Sequence, residues 1–136
     1  MRLINLRGVC LSLLVCSGMA LGNNDDFEIE ILAEGLDHPW GITFISPSEM
    51  LVTELSGNLR RVSNGRLNPE PVAGVPTVLF AGQAGLSEVI LDPSFADNNL
   101  IYLSFSAPDK DQPKLNQLYV IQARLEGNEL VDQKTI

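Results

Sequence analysis

Apolar and polar residues alternate in short runs along most of the chain, and this period of two is typical of β-strands. Residues 27–31 alternate cleanly and predict a strand with one solvent-exposed face. Later runs stop at turn signals, such as the Ser-Pro-Ser of residues 46–48 and the Asn-Gly of residues 64–65. The further predicted strands cover residues 41–45, 50–54, 59–62, 86–91, 100–105, 117–124 and 129–131. No convincing helical period follows the N-terminal segment, so the pattern predicts an all-β fold.

The strand pattern of the first half returns in the second half. Ile42 and Val89 begin matching strand-then-proline stretches, which gives an offset of 89 − 42 = 47 residues. A period of roughly 40 to 50 residues with four strands is typical of propeller blades. A β-sandwich of about seven or eight strands fits the same spacing, and the pattern leaves both folds open. Propellers have roughly 4 to 8 blades. Two blades therefore favour the interpretation that the chain is a fragment of a longer propeller.

The same pattern predicts which residues form the core. We expect residues 42–45 and 89–91 to be the inner strands of two stacked, four-stranded antiparallel sheets. The side chains expected to be mostly buried between them are Phe44, Val52, Leu59, Leu91, Leu103 and Val120.

Residues 1–22 have the pattern of a signal peptide. Arg2 and Arg7 precede a short apolar run, and the small residues within 18–20 provide a cleavage site. The run is too short for a membrane-spanning helix. A lipoprotein signal ending at Cys16 is the weaker alternative, because a valine stands before it where a small residue is expected. We therefore expect a protein that is secreted to the periplasm, with no membrane span.

Cleavage changes the cysteine count and the charge. Cys10 and Cys16 both leave with the signal peptide, so the mature chain folds without disulfides. Loss of Arg2 and Arg7 lowers the Lys and Arg count from 9 to 7 against 17 acids, and the net charge goes from −8 to −10. This acidity excludes nucleic acid as a partner, because phosphates require a basic surface.

Four stretches carry a resemblance to a known family. They are "LAEGLDHPWGITF" (residues 32–44), "MLVTELSGNLRRV" (50–62), "GRLNPEPVAGVPTV" (65–78) and "GQAGLSEVILDPSFADNNLIYLSFS" (82–106). In this order and spacing the chain resembles the N-terminal part of the soluble glucose/sorbosone dehydrogenase family, especially its aldose sugar dehydrogenase branch. The resemblance covers almost the whole mature chain.

The resemblance implies a fold and an activity. The family is a six-bladed β-propeller of exported enzymes that bind pyrroloquinoline quinone and calcium. They oxidise the anomeric hydroxyl of aldoses to the lactone and pass the electrons to an external acceptor. The chain would then be the first two blades, blade one over about residues 27–80 and blade two over about 81–136. We expect such a fragment to be inactive alone, and its calcium ligands to lie beyond residue 136.

Gln83 is the one candidate residue for the cofactor or substrate site. It stands between Gly82 and Gly85, whose missing side chains let the backbone approach a ligand. Its amide offers both a donor and an acceptor. By the resemblance, the glutamine of this motif faces the quinone and the sugar. The alternative is that Gln83 only bonds its own turn. The branch usually has Leu-Asp where this chain has Ser87 and Glu88.

For three other residues a structural role is favoured over a functional one. His38 is the only histidine and is interpreted as a turn and rim residue, with lining of the site as the alternative, since by the resemblance the family's catalytic histidine belongs to a later stretch. Trp40 is expected to be a buried wedge between blades, with stacking on a sugar or quinone ring as the alternative. Asp92 is expected to form a turn before Pro93. No catalytic residue and no metal ligand is predicted within the chain. The second functional hypothesis is a non-catalytic binding propeller.

Overall fold

The protein, described here from a computed structural model over residues 28–112 and 114–136, forms two four-stranded antiparallel sheets. The first sheet contains β1 (Pro39–Ser46), β2 (Glu49–Glu54), β3 (Leu59–Ser63) and β4 (Arg66–Leu67). The second contains β5 (Leu86–Leu91), β6 (Leu100–Pro108), β7 (Asn116–Glu126) and β8 (Glu129–Thr135). Both sheets have their strands in chain order. The all-β prediction is confirmed, whereas the predicted signal peptide, residues 1–22, lies outside the described residues.

One short helix lies in the connection between the first two strands of the second sheet. It is α1 (Phe95–Asn98), a single turn between β5 and β6 that ends at Asn99 in the left-handed conformation. Four residues are too few to show a helical period, so the sequence pattern did not predict it. Among the described residues, no helix has the length and apolar character needed to cross a membrane.

The strand predicted over residues 27–31 is wrong for the part that the structure describes. Residues 28–31 have no strand conformation, and Ile29 is 90% exposed. The alternation fails as a predictor here because no described strand pairs with this segment. The segment first packs against the first sheet a few residues later, where Ala33 and Leu36 contact the cluster of Met50 and Val52.

The repeat predicted from the sequence extends to individual hydrogen bonds. Both β1 and β5 have an irregular register close to their first residues. At this point the Gly41 N–H donates to Thr53 Oγ1 (2.8 Å), and the Glu88 N–H donates to Ser104 Oγ (3.2 Å). The offsets are 88 − 41 = 47 and 104 − 53 = 51 residues. Each sheet therefore joins its first two strands through the same hydroxyl contact.

The core lies between the two sheets. Inward-facing residues of β2 and β3 pack against the alternating residues of β5, β6 and β7, and Val72 of the linker closes one side. The buried residues of this core are Leu51, Leu59, Val72, Leu86, Val89, Ile101, Leu103, Phe105, Ala107, Ile121, Ala123, Leu125 and Leu130. At one edge of the core, β1 and β5 approach each other closely. A Cβ at Gly41 would lie only 2.9 Å from the Ser87 carbonyl oxygen.

The core prediction is confirmed for two of its six residues, Leu59 and Leu103, which are buried between the sheets. Val52 is also buried, but it packs with Met50 and Val62 on the far face of the first sheet. Leu91 and Val120 are only half-buried. Phe44 is 54% exposed, which makes its prediction wrong. Phe44 pairs with Met50 on the face of the first sheet that points away from the second sheet, so the inter-sheet core does not cover it. The same face explains why Trp40, expected to be buried, is 51% exposed.

Candidate functional site at the rim of the two sheets

Two loops meet at one end of the structure, because β1 and β5 begin at the same end of their sheets. The loop before β1 contains His38, and the loop before β5 contains Gln83. The backbone of Leu55 joins them: its N–H donates to the His38 carbonyl (3.1 Å), and its carbonyl accepts from the Leu86 N–H (3.2 Å). We call Asp37, His38, Phe80, Gly82 and Gln83 the rim.

Gln83 occupies the tip of a tight turn. Ala81 and Ala84 exchange two backbone hydrogen bonds of 3.1 and 3.0 Å, with Gly82 and Gln83 between them. Gly82 has a φ of 61°, which places the left-handed residue first in the turn and favours glycine there. Gln83 is exposed, and its side chain makes no hydrogen bond with the described residues. The turn is closed by backbone alone, so the amide keeps its donors and acceptor available.

Gly85 has a different steric role from Gly82. A Cβ at Gly85 would lie 2.1 Å from the Leu55 carbonyl oxygen, whereas a Cβ at Gly82 would meet no atom within 4 Å. Gly85 therefore permits the close contact between the sheets, and Gly82 permits the turn. The two glycines that flank Gln83 fix the position of its backbone against the first sheet.

His38 links the two loops of the rim. Its φ of 47° is unusual for a residue with a side chain. Its Nδ1 lies 2.5 Å from Asp37 Oδ1, and its ring meets the Phe80 ring edge-on with centroids 5.5 Å apart. His38 lies in the bend before β1, which confirms its interpretation as a turn residue, whereas its place at the rim of a propeller stays a prediction. Phe80 and Asp37 were missed as rim residues, since neither belongs to a recognisable motif.

A buried carboxylate supports the rim from below. Glu54, the last residue of β2, is 1% exposed. It accepts hydrogen bonds from the Asp37 N–H (2.8 Å) and from Asn58 Nδ2 (2.9 Å), and Arg60 Nη1 lies 3.6 Å away. A buried charge is retained only when it is paired and hydrogen-bonded. The network therefore fixes the loop of Asp37 and His38. The sequence analysis did not predict this network. The only signal for it in the sequence is that Glu54 ends an apolar strand shortly before two arginines.

Asp92 lies away from the rim and has the structural role that the sequence predicted. Its carboxylate accepts from Asn98 Nδ2 (2.9 Å), from the Ser94 N–H (2.9 Å) and from the Tyr102 hydroxyl (2.8 Å). These bonds lower the pKa of Asp92 below its ordinary value, with the Asn98 bond as the largest cause. Asp92 thus holds the turn that leads into α1.

The comparison with protein families identifies this fold. The sequence model of the family described as Glucose / Sorbosone dehydrogenase matches residues 36–136, well over half of the chain. The chain belongs to the glucose/sorbosone dehydrogenase family. This confirms the resemblance found in the sequence. The family match spans both sheets and the whole rim.

Relatives within the glucose/sorbosone dehydrogenase family include sugar dehydrogenases of known structure. The chain is 38% identical over 104 residues to aldose sugar dehydrogenase YliI of Escherichia coli (strain K12). That match covers 76% of this chain and 27% of the relative. The crystal structure of the soluble aldose sugar dehydrogenase of Escherichia coli in its apo-form matches with a TM-score of 0.71 at 35% identity. It covers 79% of this chain and 31% of that chain.

Another matching structure was solved with a bound cofactor. It is the PQQ-bound form of aldose sugar dehydrogenase from Streptomyces coelicolor, with a TM-score of 0.61 and 25% identity. The match covers 79% of this chain and 32% of that one. The chain therefore spans less than a third of the length of each of these relatives.

The described residues fit a quinone cofactor in one respect only. Gln83 presents an exposed amide that can bond a carbonyl or hydroxyl group. The basic residue beneath the rim, Arg60, is already bound to Glu54 and to the Asn68 carbonyl, so the carboxylates of the quinone find no partner there. Calcium takes roughly six to eight oxygen ligands. Among residues 28–112 and 114–136, no group of three His, Cys, Asp or Glu residues could hold a metal ion. The described residues thus do not fit a calcium site.

Proposed function

We propose that this chain is the N-terminal part of a quinone-dependent aldose sugar dehydrogenase. Its two sheets would be neighbouring blades of a six-bladed β-propeller, blade one over about residues 27–80 and blade two over about 81–136. The family match and the relatives named aldose sugar dehydrogenase support this proposal. The observation that supports a ligand site in this chain is the amide of Gln83, which is exposed and makes no hydrogen bond with the described residues. Two glycines hold its turn against the first sheet.

The reaction proposed for the whole protein is oxidation of the anomeric hydroxyl of an aldose to the lactone. This step removes two electrons and two protons from the sugar, and the bound quinone would supply the electron acceptor before an external acceptor is reduced. Within this chain, Gln83 would orient the quinone or the sugar through its amide. His38, fixed by Asp37 and Phe80, would line the neighbouring part of the rim.

Cofactor binding in the whole protein would need groups that this chain does not provide. We propose that the cationic partners of the quinone and the calcium ligands come from other blades. Export to the periplasm, directed by the predicted signal peptide of residues 1–22, would place the enzyme with its sugar substrate. No catalytic base is assigned to this chain, because the amide of Gln83 does not accept a proton near neutral pH and the resemblance puts the family's catalytic histidine in a later stretch than His38.

The alternative function is binding without catalysis. The observation that favours it is the replacement of the usual Leu-Asp pair by Ser87 and Glu88 at the start of β5, next to the rim. A propeller that had lost its chemistry would still hold a sugar at the rim through the amide of Gln83. This hypothesis predicts sugar binding without turnover.

A chimera separates the two hypotheses. Residues 36–136 of this chain would replace the matching segment of the aldose sugar dehydrogenase of Escherichia coli, which is 38% identical. We expect the purified chimera to reduce a dye in the presence of an aldose, quinone and calcium. The parent enzyme and a quinone-only reaction are the controls. A folded chimera that binds the quinone without turnover would support the binding module instead.

A further inference from the structure

Neighbouring groups hold both the backbone and the ring of His38. Its carbonyl accepts the Leu55 N–H (3.1 Å), and the N–H of the preceding residue, Asp37, donates to the buried carboxylate of Glu54 (2.8 Å). Its ring meets the Phe80 ring edge-on, with the centroids 5.5 Å apart. All of these groups belong to the two sheets and to the loops of the rim, so the orientation of His38 is set within this chain.

The contact with Asp37 decides which ring nitrogen of His38 carries a proton. Nδ1 lies 2.5 Å from Asp37 Oδ1, and a carboxylate oxygen accepts hydrogen bonds, so Nδ1 is the donor. In the neutral ring the other nitrogen, Nε2, then carries a lone pair and no proton. Within the described part of the chain, Nε2 makes no hydrogen bond. His38 thus presents one hydrogen-bond acceptor in a fixed position at the rim.

A turn alone does not account for these features of His38. The side chain is 61% exposed, so it fills no space in the core. The φ of 47° would suit glycine with less strain, and strained residues of this kind cluster at ligand sites. The ring beside it, Phe80, is 45% exposed, and the amide of Gln83 follows three residues further along the chain. The rim therefore combines an acceptor, an apolar ring and an amide.

We propose that Nε2 of His38 accepts a hydrogen bond from a hydroxyl group of the aldose, and that Asp37 is the positioning residue that keeps Nε2 free of a proton. Each hydroxyl of a sugar donates one hydrogen bond and accepts others. The amide of Gln83 serves a further hydroxyl, and Phe80 packs against the C–H groups of the sugar. The inference rests on the proposed function, which puts the sugar at the rim. It assigns His38 to sugar binding and not to the oxidation itself.

Sugar kinetics of the chimera with the Escherichia coli enzyme test this role. His38→Phe keeps an aromatic ring against Phe80 but removes Nε2. We expect the KM for the aldose to rise roughly threefold to tenfold, the effect of one lost neutral hydrogen bond, while kcat and quinone affinity stay unchanged. His38→Gln, whose side-chain oxygen can replace the acceptor, should recover most of the affinity. Asn64→Phe is the control, because Asn64 is also exposed with a positive φ of 51° but lies in the turn between β3 and β4, at the other end of the first sheet.

A series of deoxy aldoses shows whether His38 binds one particular hydroxyl. Removing that hydroxyl from the sugar removes the same hydrogen bond, so the unchanged and His38→Phe chimeras should have equal KM values for this one deoxy aldose. For the other members of the series, the threefold to tenfold difference should remain. A difference that persists for every deoxy aldose, or an unchanged KM for the parent sugar, would overturn the inference.

Failure of the proposed function would give a different result. A chimera that binds the aldose without turnover would contradict a sugar dehydrogenase, and calorimetric dissociation constants of the same variants would then test His38. A threefold to tenfold weaker affinity in His38→Phe supports the inference in that case too. A chimera that binds no aldose, or a His38→Phe variant with a lower unfolding temperature and unchanged sugar affinity, would overturn it.

Discussion

Single residues at the rim owe their positions to contacts far from them in sequence. The Glu54 carboxylate holds the backbone of Asp37, 17 residues away, and is itself bonded to Asn58. Gly85 gives the Leu55 carbonyl the room that any side chain would take. The position proposed for Gln83 therefore depends on buried neighbours in the first sheet.

We predict that Glu54→Ala strongly destabilises the protein. Removing the carboxylate leaves the Asp37 N–H and the Arg60 guanidinium without their buried partner, and loss of one member of a buried pair costs about 3–5 kcal/mol. The free energy of unfolding in urea measures the effect. Glu126→Ala is the matched control, because Glu126 is exposed and its pairing with Arg124 is worth little. Equal, small losses for both variants would contradict the network.

The pH dependence of stability contains a contribution from Asp92. Its pKa is lowered in the folded protein, so the folded state binds fewer protons and the carboxylate stabilises the fold above the ordinary pKa of 3.8. This stability is lost as the pH falls below about 4 through the folded pKa. We predict that Asp92→Asn weakens the dependence of the unfolding midpoint on pH in this acidic range. Asp97→Asn is the control, and identical pH profiles for Asp92→Asn and the unchanged protein would contradict the prediction.

At the scale of the strand, the repeated hydroxyl contact is the feature that organises each sheet. Thr53 and Ser104 occupy equivalent positions in β2 and β6 and bond the irregular starts of β1 and β5. Thr53 is fully buried and also reaches the second sheet. One side chain thus sets both the bend of its own sheet and the contact with the next.

Replacement of Thr53 by Val should show this double role. Valine keeps the shape but leaves the Gly41 N–H and the Ser87 carbonyl without their partner, and an unsatisfied buried polar group costs about 1–3 kcal/mol. We expect the unfolding midpoint in urea to fall accordingly. Thr77→Val changes an exposed loop threonine and should stay within about 0.5 kcal/mol. A Thr53→Val protein as stable as the Thr77→Val protein would rule out the role.

The sequence predicted what depends on local pattern. The strands other than β4, their turn residues, the offset of Ile42 and Val89 and the structural role of Asp92 follow from alternation and turn chemistry. The pattern did not predict β4, which has only two residues. Two predictions were wrong, the burial of Phe44 and the strand over residues 28–31. Alternation shows which face of a strand a residue lies on, but it does not show what packs against that face. The partners of Glu54 were out of reach for a related reason, since they depend on how loops meet after folding.

At the scale of the whole molecule, the two sheets form one packed unit with a rim at one end. The rim combines a loop from each sheet, and Leu55 bonds to both loops. A site that needs groups from several blades cannot be complete on two sheets. The structure thus accounts for the shape of one part of the proposed site.

We predict that the chain of 136 residues has no sugar dehydrogenase activity by itself. The residues that the structure describes offer the quinone no free cationic partner at the rim and no calcium site. Dye reduction with an aldose, quinone and calcium should not exceed the rate of the same mixture without protein. Turnover that depends on the purified chain would refute the prediction.

The most direct test of the proposed site is Gln83→Ala in the active chimera with the Escherichia coli enzyme. Loss of one neutral hydrogen bond is worth about 0.5–1.5 kcal/mol, so kcat/KM or quinone affinity should fall roughly threefold to tenfold. The unfolding temperature should hardly change, because the exposed amide bonds to no described residue. Gln112→Ala, at another exposed loop glutamine, should alter neither quantity. A lower unfolding temperature with unchanged kinetics would show that Gln83 only supports its turn, and would contradict the proposed site.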